Sequence, residues 1–165
     1  DGEFDVVYSD VDKDGYPAVW EAAAERVRDR SISLLSVDTL EYLRRGGRLS
    51  GTQAAVGNAL RVKPLLHLTD DGRVEVRERT RTWKKVLDRQ AELVAELADG
   101  QPVDVIVVQA LASDRAGELW ERLDGLVQVR ERLEAVIGPI VGTHVGPGAV
   151  GVAAVPIGPQ GATSR

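Results

Sequence analysis

Two histidines and one arginine are the side chains of this sequence best placed for chemistry. His67 and His144 are its two histidines, and imidazole is the side chain that exchanges a proton near neutral pH. His144 lies in the glycine-rich segment GTHVGPG, residues 142–148, and Arg48 follows a double glycine. Glycines allow the backbone to approach a ligand closely. A cation, an imidazole and accessible backbone amides are suited to binding an anionic group.

No catalytic motif accompanies either histidine. The sequence contains no G-x-S-x-G nucleophile motif, no phosphate-binding loop, no dinucleotide fingerprint and no H-E-x-x-H metal motif. It contains no cysteine, which excludes a thiol nucleophile and a disulfide. We therefore predict no catalytic residue, no metal and no cofactor. A hydrolase or transferase that uses His144 as general base is the enzymatic alternative.

An acidic stretch near the N-terminus matches the calcium-loop pattern D-x-D-x-D-G-x5-E. Its carboxylates, which are the hard oxygen ligands that calcium prefers, are Asp10, Asp12, Asp14 and Glu21. Pro17 stands where such a loop needs a backbone N–H, and an acidic turn leading into a helix is the other interpretation. A non-catalytic interaction module with a calcium-binding loop remains an alternative.

Composition is typical of a globular domain. A chain of 165 residues suits one domain with its own core, and 43% hydrophobic and 28% charged residues are ordinary values. The net charge of −5 argues against a nucleic-acid-binding protein. No apolar run reaches the roughly 18 residues of a membrane span, and no signal-like segment opens the chain, so we predict a cytoplasmic protein. Because the chain does not begin with Met, we expect it to be a piece of a longer protein.

The elements predicted to position Arg48 lie on both sides of it. Asp38 is expected to cap a helix, with Glu41 three residues later completing a capping box. Gly46 and Gly47 would supply the left-handed positions that end this helix. The pattern predicts that Arg48 is held between rigid elements.

A second helix and a hairpin follow. Ser50 with Gln53 repeats the capping spacing for a helix that runs to about Arg61. The apolar run after Pro64, the turn DDG and an alternating second strand predict a hairpin from Leu65 to Arg81.

The remaining pattern alternates helices and strands. It predicts, in chain order, a helix at 17–30, a strand at 32–37, a helix at 83–98 capped by Thr82, a buried strand at 103–108, a helix capped by Ser113 or Asp114 and ended at 124–125, and an edge strand or ragged helix at 128–134. Residues 136–157 are apolar and glycine-rich, with His144 in a glycine-built turn. This order predicts an α/β fold with a mixed β-sheet flanked by helices.

Separated segments of the sequence carry a resemblance to a known family. VDTLEYLRRGGRLS at 37–50, KPLLHL at 63–68 and GTHVGPG at 142–148 stand in the order found in the second half of DegV proteins. The chain therefore resembles the DegV family of bacterial fatty-acid-binding proteins over about residues 18 to 156. The resemblance implies the C-terminal domain of a two-domain fold.

The resemblance also implies a domain division and a function. Residues 1–16 would be an N-terminal extension or added segment, 17–157 the lipid-binding domain and 158–165 a flexible tail. DegV-like proteins bind a long-chain fatty acid in an apolar channel. Their role in phospholipid metabolism is to present it to a dihydroxyacetone-kinase-like fatty acid kinase. The resemblance thus implies a carrier rather than an enzyme.

Individual residues correspond to positions of the family's lipid headgroup site. The family's headgroup histidine corresponds to His144 and its arginine to Arg48. Thr143 and Gly146, in the same GTHVGPG segment, complete the implied site. For contact with the kinase, the resemblance implies Arg81 in RTWKK or its neighbour Arg79, and the sequence leaves both open.

Overall fold

Six strands and four helices form the described part of the chain. The computed structural model describes residues 30–49, 62–69 and 74–158. The strands are β1 Ile32–Ser36, β2 Lys63–Leu68, β3 Val74–Thr80, β4 Val103–Gln109, β5 Val129–Val136 and β6 Val150–Pro156. The helices are α1 Glu41–Arg45, α2 Trp83–Ala98, α3 Ser113–Leu126 and α4 Pro139–Val145. The predicted α/β fold class is confirmed.

The strands form one mixed sheet in the order β3-β2-β1-β6-β4-β5. The β4–β5 pair is parallel and the other four pairs are antiparallel. β5 is an edge strand, which decides between the two predictions made for residues 128–134. β2 and β3 form the predicted antiparallel hairpin.

The strand pairing brings one set of strand ends to a common border. Ser36, at the end of β1, pairs with Leu65 near the start of β2 and with Val150 at the start of β6. Gln109, at the end of β4, pairs with Val150 and with Val136 at the end of β5. We call this border the loop edge. The segments that contain Arg48 and His144 both follow strands that end there.

One face of the sheet packs against α2 and α3. Alternate residues of β4 point into this layer, because Val103, Val105 and Val107 are buried whereas the residues between them are half-exposed. The helices contribute a continuous apolar stripe of buried side chains, Val86, Leu87, Ala91, Leu93, Val94, Ala98, Ala116, Leu119, Trp120 and Leu123. This layer is the main core.

A second, smaller core lies under α1 and α4, beside the loop edge. It contains Val37, Leu43, Leu66, Ala110, Val145 and Ala149. Leu43 comes from α1 and Val145 from α4, so this cluster fixes the two short helices against each other and against the sheet.

Among the predicted helix caps, the one for α2 is confirmed and the one for α3 is wrong. Thr82 caps α2, where its Oγ1 accepts a hydrogen bond of 3.2 Å from the backbone N–H of Lys85. Neither Ser113 nor Asp114 caps α3. Its N-cap is Ala112, whose N–H donates to the side-chain oxygen of Gln109 at 2.8 Å, and α3 continues through Gly125 to Leu126. The buried glutamine lies outside the local sequence pattern that capping rules use.

The predicted capping box at Asp38 is also wrong. The N-cap of α1 is Leu40, which makes no side-chain cap bond, and Glu41 pairs with Arg44 and Arg45. Asp38 instead binds distant donors, as described below.

Several sequence predictions fall outside the described residues. They are the 1–16 extension, the calcium-loop pattern from Asp10 to Glu21, the helix at 17–30 apart from its last residue, the helix at 50–61, the turn DDG at 70–72, and the 158–165 tail apart from its first residue.

Gly151 gives a stability prediction for the sheet. A Cβ atom there would lie 2.8 Å from the carbonyl oxygen of Leu34 and 3.1 Å from Val108 Cγ2. Since a backbone atom cannot move aside, Gly151→Ala should lower the free energy of unfolding by about 1–3 kcal/mol in urea titrations.

Gly117→Ala is the matched control. It adds the same methyl group to the helix α3, where nothing lies within 4 Å, and should raise stability by about 0.5–1 kcal/mol because alanine favours helix. Equal effects of the two substitutions would contradict the close approach at Gly151.

Candidate functional site

His144 is positioned by the short helix α4. Gly138, in extended conformation, precedes the helix, and Pro139 occupies its first turn, where a missing N–H costs nothing. The helix ends at Gly146, whose φ of 76° is left-handed. His144 therefore lies in the last helical turn, and its predicted place in a glycine-built turn is wrong, because that turn begins two residues later.

The imidazole of His144 lies directly against Gly46, at the end of α1. A Cβ atom on Gly46 would lie 2.2 Å from His144 Nδ1 and 3.0 Å from its Cε1. Arg48 reaches the same residue, because its Nη1 donates to the carbonyl oxygen of Gly46 at 3.1 Å. The structure thus brings the two distant residues of the predicted headgroup site to one glycine.

The predicted left-handed pair at the end of α1 is half right. Gly47 has φ of 65°, whereas Gly46 has φ of −77° and a right-handed conformation. Gly46 is needed for space rather than for conformation, since the His144 ring occupies the position of its missing side chain.

A second glycine contact joins α1 to α4. A Cβ atom on Gly146 would lie 2.4 Å from Tyr42 Cδ2, so the tyrosine ring packs directly against this residue. The N–H of Gly146 donates to Gly142 within the helix at 2.8 Å. Thr143 is exposed, and its Oγ1 donates to the carbonyl oxygen of Ile140 at 2.8 Å. Of these two predicted site residues, Thr143 faces solvent and Gly146 is covered by Tyr42.

Asp38 is the centre of a polar cluster beside this helix pair, and sequence analysis missed it. Its Oδ1 accepts hydrogen bonds from Lys63 Nζ at 2.6 Å and from Trp83 Nε1 at 3.0 Å. Its Oδ2 accepts one from Arg115 Nη1 at 3.0 Å. We call these four residues the Asp38 cluster. The donors come from β2, α2 and α3, so no spacing rule within one segment could have found them.

The electrostatics of the cluster favour the ionised carboxylate. Burial by itself would raise the pKa of Asp38, but the hydrogen bonds from Lys63, Arg115 and Trp83 outweigh it and hold this pKa below its usual value. The guanidinium of Arg115 also stacks on the Trp83 ring at 3.8 Å from its centroid.

Apolar side chains remain exposed at the loop edge. Leu111, between β4 and α3, has 87% of its surface exposed, and its φ of 52° is unusual for a residue other than glycine. Ile140 of α4 is 82% exposed, and Val141 and the last residue of β5, Val136, are exposed as well. An apolar surface of this kind indicates binding of a ligand or of another protein surface.

The two candidate partner-contact residues lie on the hairpin. Arg79 pairs with Pro64 across β2 and β3, and Arg81 directly follows β3. Both side chains are exposed, and neither forms an ion pair with any residue in the described ranges. The neighbouring Glu78 forms an ion pair with Arg89, in which its Oε1 lies 2.9 Å from Arg89 Nε.

Two further observations concern metal binding and membrane spanning by the described residues. Within 30–49, 62–69 and 74–158, no group of three His, Asp or Glu side chains could hold a metal ion. None of the helices described above has the length and apolarity needed to cross a membrane.

The contact between His144 and Gly46 can be tested by a double-mutant cycle. Gly46→Ala should destabilise the protein by about 1–2 kcal/mol, because the new methyl group overlaps the imidazole. In the His144→Ala background the same change should be neutral or slightly stabilising, since φ at Gly46 suits alanine. Thermal and urea unfolding of the four proteins measure this coupling, and additive effects would contradict the contact.

Comparison with known proteins places the chain in a family. The model of the family described as "Uncharacterised protein, DegV family" matches residues 17–157. The DegV domain-containing protein SCO2569 of Streptomyces coelicolor is 44% identical over 131 residues, which are 79% of this chain and 46% of that protein. The chain thus spans about half the length of the curated relatives it matches.

Solved structures agree in fold. The fatty acid binding DegV family protein SAG1342 of Streptococcus agalactiae matches with a TM-score of 0.77 and 31% identity, over 86% of this chain and 50% of that one. A DegV family protein of Thermus thermophilus, whose fatty acid binding was the subject of its structure, matches with a TM-score of 0.77 and 32% identity, over 88% and 52% of the two chains. From the family match and the shared fold, we conclude that the chain belongs to the DegV family.

Proposed function

We propose that this chain binds a long-chain fatty acid, with the carboxylate near His144 and Arg48. The observation that carries the proposal is the meeting of His144 and Arg48 at Gly46, beside exposed apolar side chains. An arginine is a permanent cation, and an imidazole donates a hydrogen bond to a carboxylate in either protonation state. The fatty acid binding of the structural neighbours from Streptococcus agalactiae and Thermus thermophilus supports this assignment.

The acyl chain, in this proposal, lies along the face of the sheet opposite α2 and α3. Alternation places the half-buried side chains of Leu35, Ile106, Val108, Ala153 and Val155 on that face. The register sets Gly151 between Leu35 and Val108, and Ala153 beside Ile106. The small residues of β6 thus leave an aliphatic floor that starts near the loop edge and ends beside the ion-paired Asp104, which lies on the same face opposite Val155.

The dimensions and energetics of this floor suit an acyl chain. From residue 151 to residue 155 it extends about 14 Å at 3.4 Å per residue. Each methylene group buried on such a surface contributes about 0.8 kcal/mol to binding. Affinity would come from the chain and orientation from the headgroup, which is the usual division of roles in an apolar site.

The carrier function extends this proposal to a partner. A fatty acid kinase would phosphorylate the presented carboxylate, and the exposed Arg79 and Arg81 would contact an acidic surface of that kinase. The kinase draws on cytoplasmic ATP, so the proposal places the protein in the cytoplasm. The chain itself would hold and orient the ligand while its partner does the chemistry.

Fatty acid binding can be measured directly. Native mass spectrometry and titration calorimetry with oleate and palmitate should show one bound molecule per chain. His144→Ala should weaken binding about tenfold, because it removes a hydrogen bond to a charged group. His67→Ala is the matched control: His67 lies towards the far end of β2 from the loop edge and should leave the affinity unchanged.

Two results would contradict the headgroup assignment. One is the absence of any bound fatty acid, and the other is equal affinity of the His144→Ala variant. Release of a hydrolysed product by the chain alone, lost in the same variant, would instead support the alternative in which His144 is a general base.

The kinase contact is tested separately from lipid binding. Arg79→Ala and Arg81→Ala should each lower acyl-phosphate formation by a cognate fatty acid kinase about threefold to tenfold, since rim charges mainly affect association. Neither change should alter oleate affinity. Arg77→Ala, on the same strand, is the control for a general loss of positive charge. Unchanged phosphorylation in both variants would remove these residues from the interface.

A further inference from the structure

The Asp38 cluster connects the two segments that carry the proposed headgroup residues. Asp38 stands three residues before α1, whose last turn leads to Gly46 and Arg48. Its partner Arg115 uses the same Nη1 atom to donate to the carbonyl oxygen of Gly148 at 2.6 Å. Gly148 lies in the turn that follows α4 and His144. One carboxylate and one guanidinium therefore reach both segments.

The turn after α4 packs closely against this cluster, with no room for a side chain on Gly148. Gly148 has φ of 82°, and a Cβ atom on it would lie 2.1 Å from Asp38 Oδ2 and 2.7 Å from Arg115 Nη1. The N–H of Gly148 donates to Ala110 at 2.7 Å, and the N–H of Ala110 donates to Ala149 at 2.9 Å. The turn is thus held by its backbone to Ala110, just after β4, and by its Gly148 carbonyl group to Arg115, while the Gly148 Cα packs against Asp38.

The other members of the cluster orient Arg115. The Trp83 ring supports the guanidinium at 3.8 Å while its own Nε1 donates to Asp38. Lys63 neutralises the second carboxylate oxygen at 2.6 Å, and its Nζ lies 5.7 Å from the same ring. A guanidinium with a stacked face and a fixed counter-ion loses little further freedom when it binds a carbonyl group.

We propose that Asp38 is a positioning residue for the headgroup site. Through Arg115 and Gly148 it sets the distance between α1 and α4, and thereby the position of the His144 imidazole over Gly46. Asp38 does not touch the ligand in this scheme. The inference rests on the proposed function for the identity of the ligand, but the geometric claim concerns the unliganded chain and can be tested without it.

The test compares two Asp→Asn substitutions by NMR. Asp38→Asn keeps the shape of the side chain and removes its charge. It should shift the imidazole signals of His144 and the amide signals of Gly46 and Gly148, while those of His67 stay in place. Asp88→Asn is the matched control, because Asp88 is 40% exposed against 38% for Asp38 and pairs with Arg122 at 2.6 Å. It should leave His144 unchanged.

A binding measurement adds a readout that a purely structural role would not give. Asp38→Asn should weaken oleate binding about fivefold to tenfold, because a displaced imidazole would keep only part of its hydrogen bond to the carboxylate. It should add little in the His144→Ala background because both changes act on one group. If Asp38→Asn does not fold, the Arg115→Lys variant tests the positioning role instead. Arg115→Lys keeps the ion pair with Asp38, but it should shift the NMR signals of His144, because lysine lacks the stacked planar group that reaches Gly148.

The outcomes separate the two proposals. Unchanged His144 signals in Asp38→Asn, or in Arg115→Lys if only that variant folds, would overturn the positioning role whatever the affinity for oleate. Shifted His144 signals in a chain that binds no oleate would support the positioning role and reject the proposed function.

Discussion

The carboxylate of Asp38 is the interaction on which the geometry of the loop edge depends. It accepts hydrogen bonds from donors on three separate elements, Lys63 on β2, Trp83 on α2 and Arg115 on α3. These charge-assisted hydrogen bonds hold the three elements beside Asp38, and separating the elements would exchange the bonds for contacts with water. Asp38 also lies three residues before α1, so its hydrogen bonds fix the position where this helix begins. A helix of five residues is too short to be stable by itself.

Close packing through glycines complements this polar anchor. Three glycines of the loop edge meet side chains of the chain itself where a Cβ atom would stand: Gly46 meets His144, Gly146 meets Tyr42, and Gly148 meets Asp38. Glycine-rich segments suggested backbone amides accessible to a ligand, but the amides of Gly146 and Gly148 are bonded within the protein. Gly46 and Gly146 therefore let α1 and α4 approach each other, and Gly148 lets the turn after α4 approach Asp38.

Features that depend on neighbouring residues could be predicted from the sequence, whereas features that depend on contacts between distant segments could not. Helix α2, with its Thr82 cap, and the hairpin β2–β3 were predicted correctly because their signals are local. The cap at Asp38 was predicted wrongly because a local amide competes poorly with charged donors from distant elements. Arg48 and His144 were paired through a family resemblance. Arg48 is close to Gly46 in sequence, but no local pattern could have shown that His144 also contacts Gly46.

The charges of the loop edge bear on the kind of ligand it would accept. Asp38, Lys63 and Arg115 together carry one more positive charge than negative, and Arg48 adds another cation nearby in a chain of net charge −5. Exposed aliphatic side chains, including Leu111 and Ile140, stand on the same edge. A locally positive field next to apolar surface favours a ligand with an anionic head and a hydrocarbon tail over a uniformly polar one. This asymmetry would also set the direction of binding, with the headgroup at the loop edge and the tail along the sheet, because the reverse orientation would bury a carboxylate against aliphatic side chains.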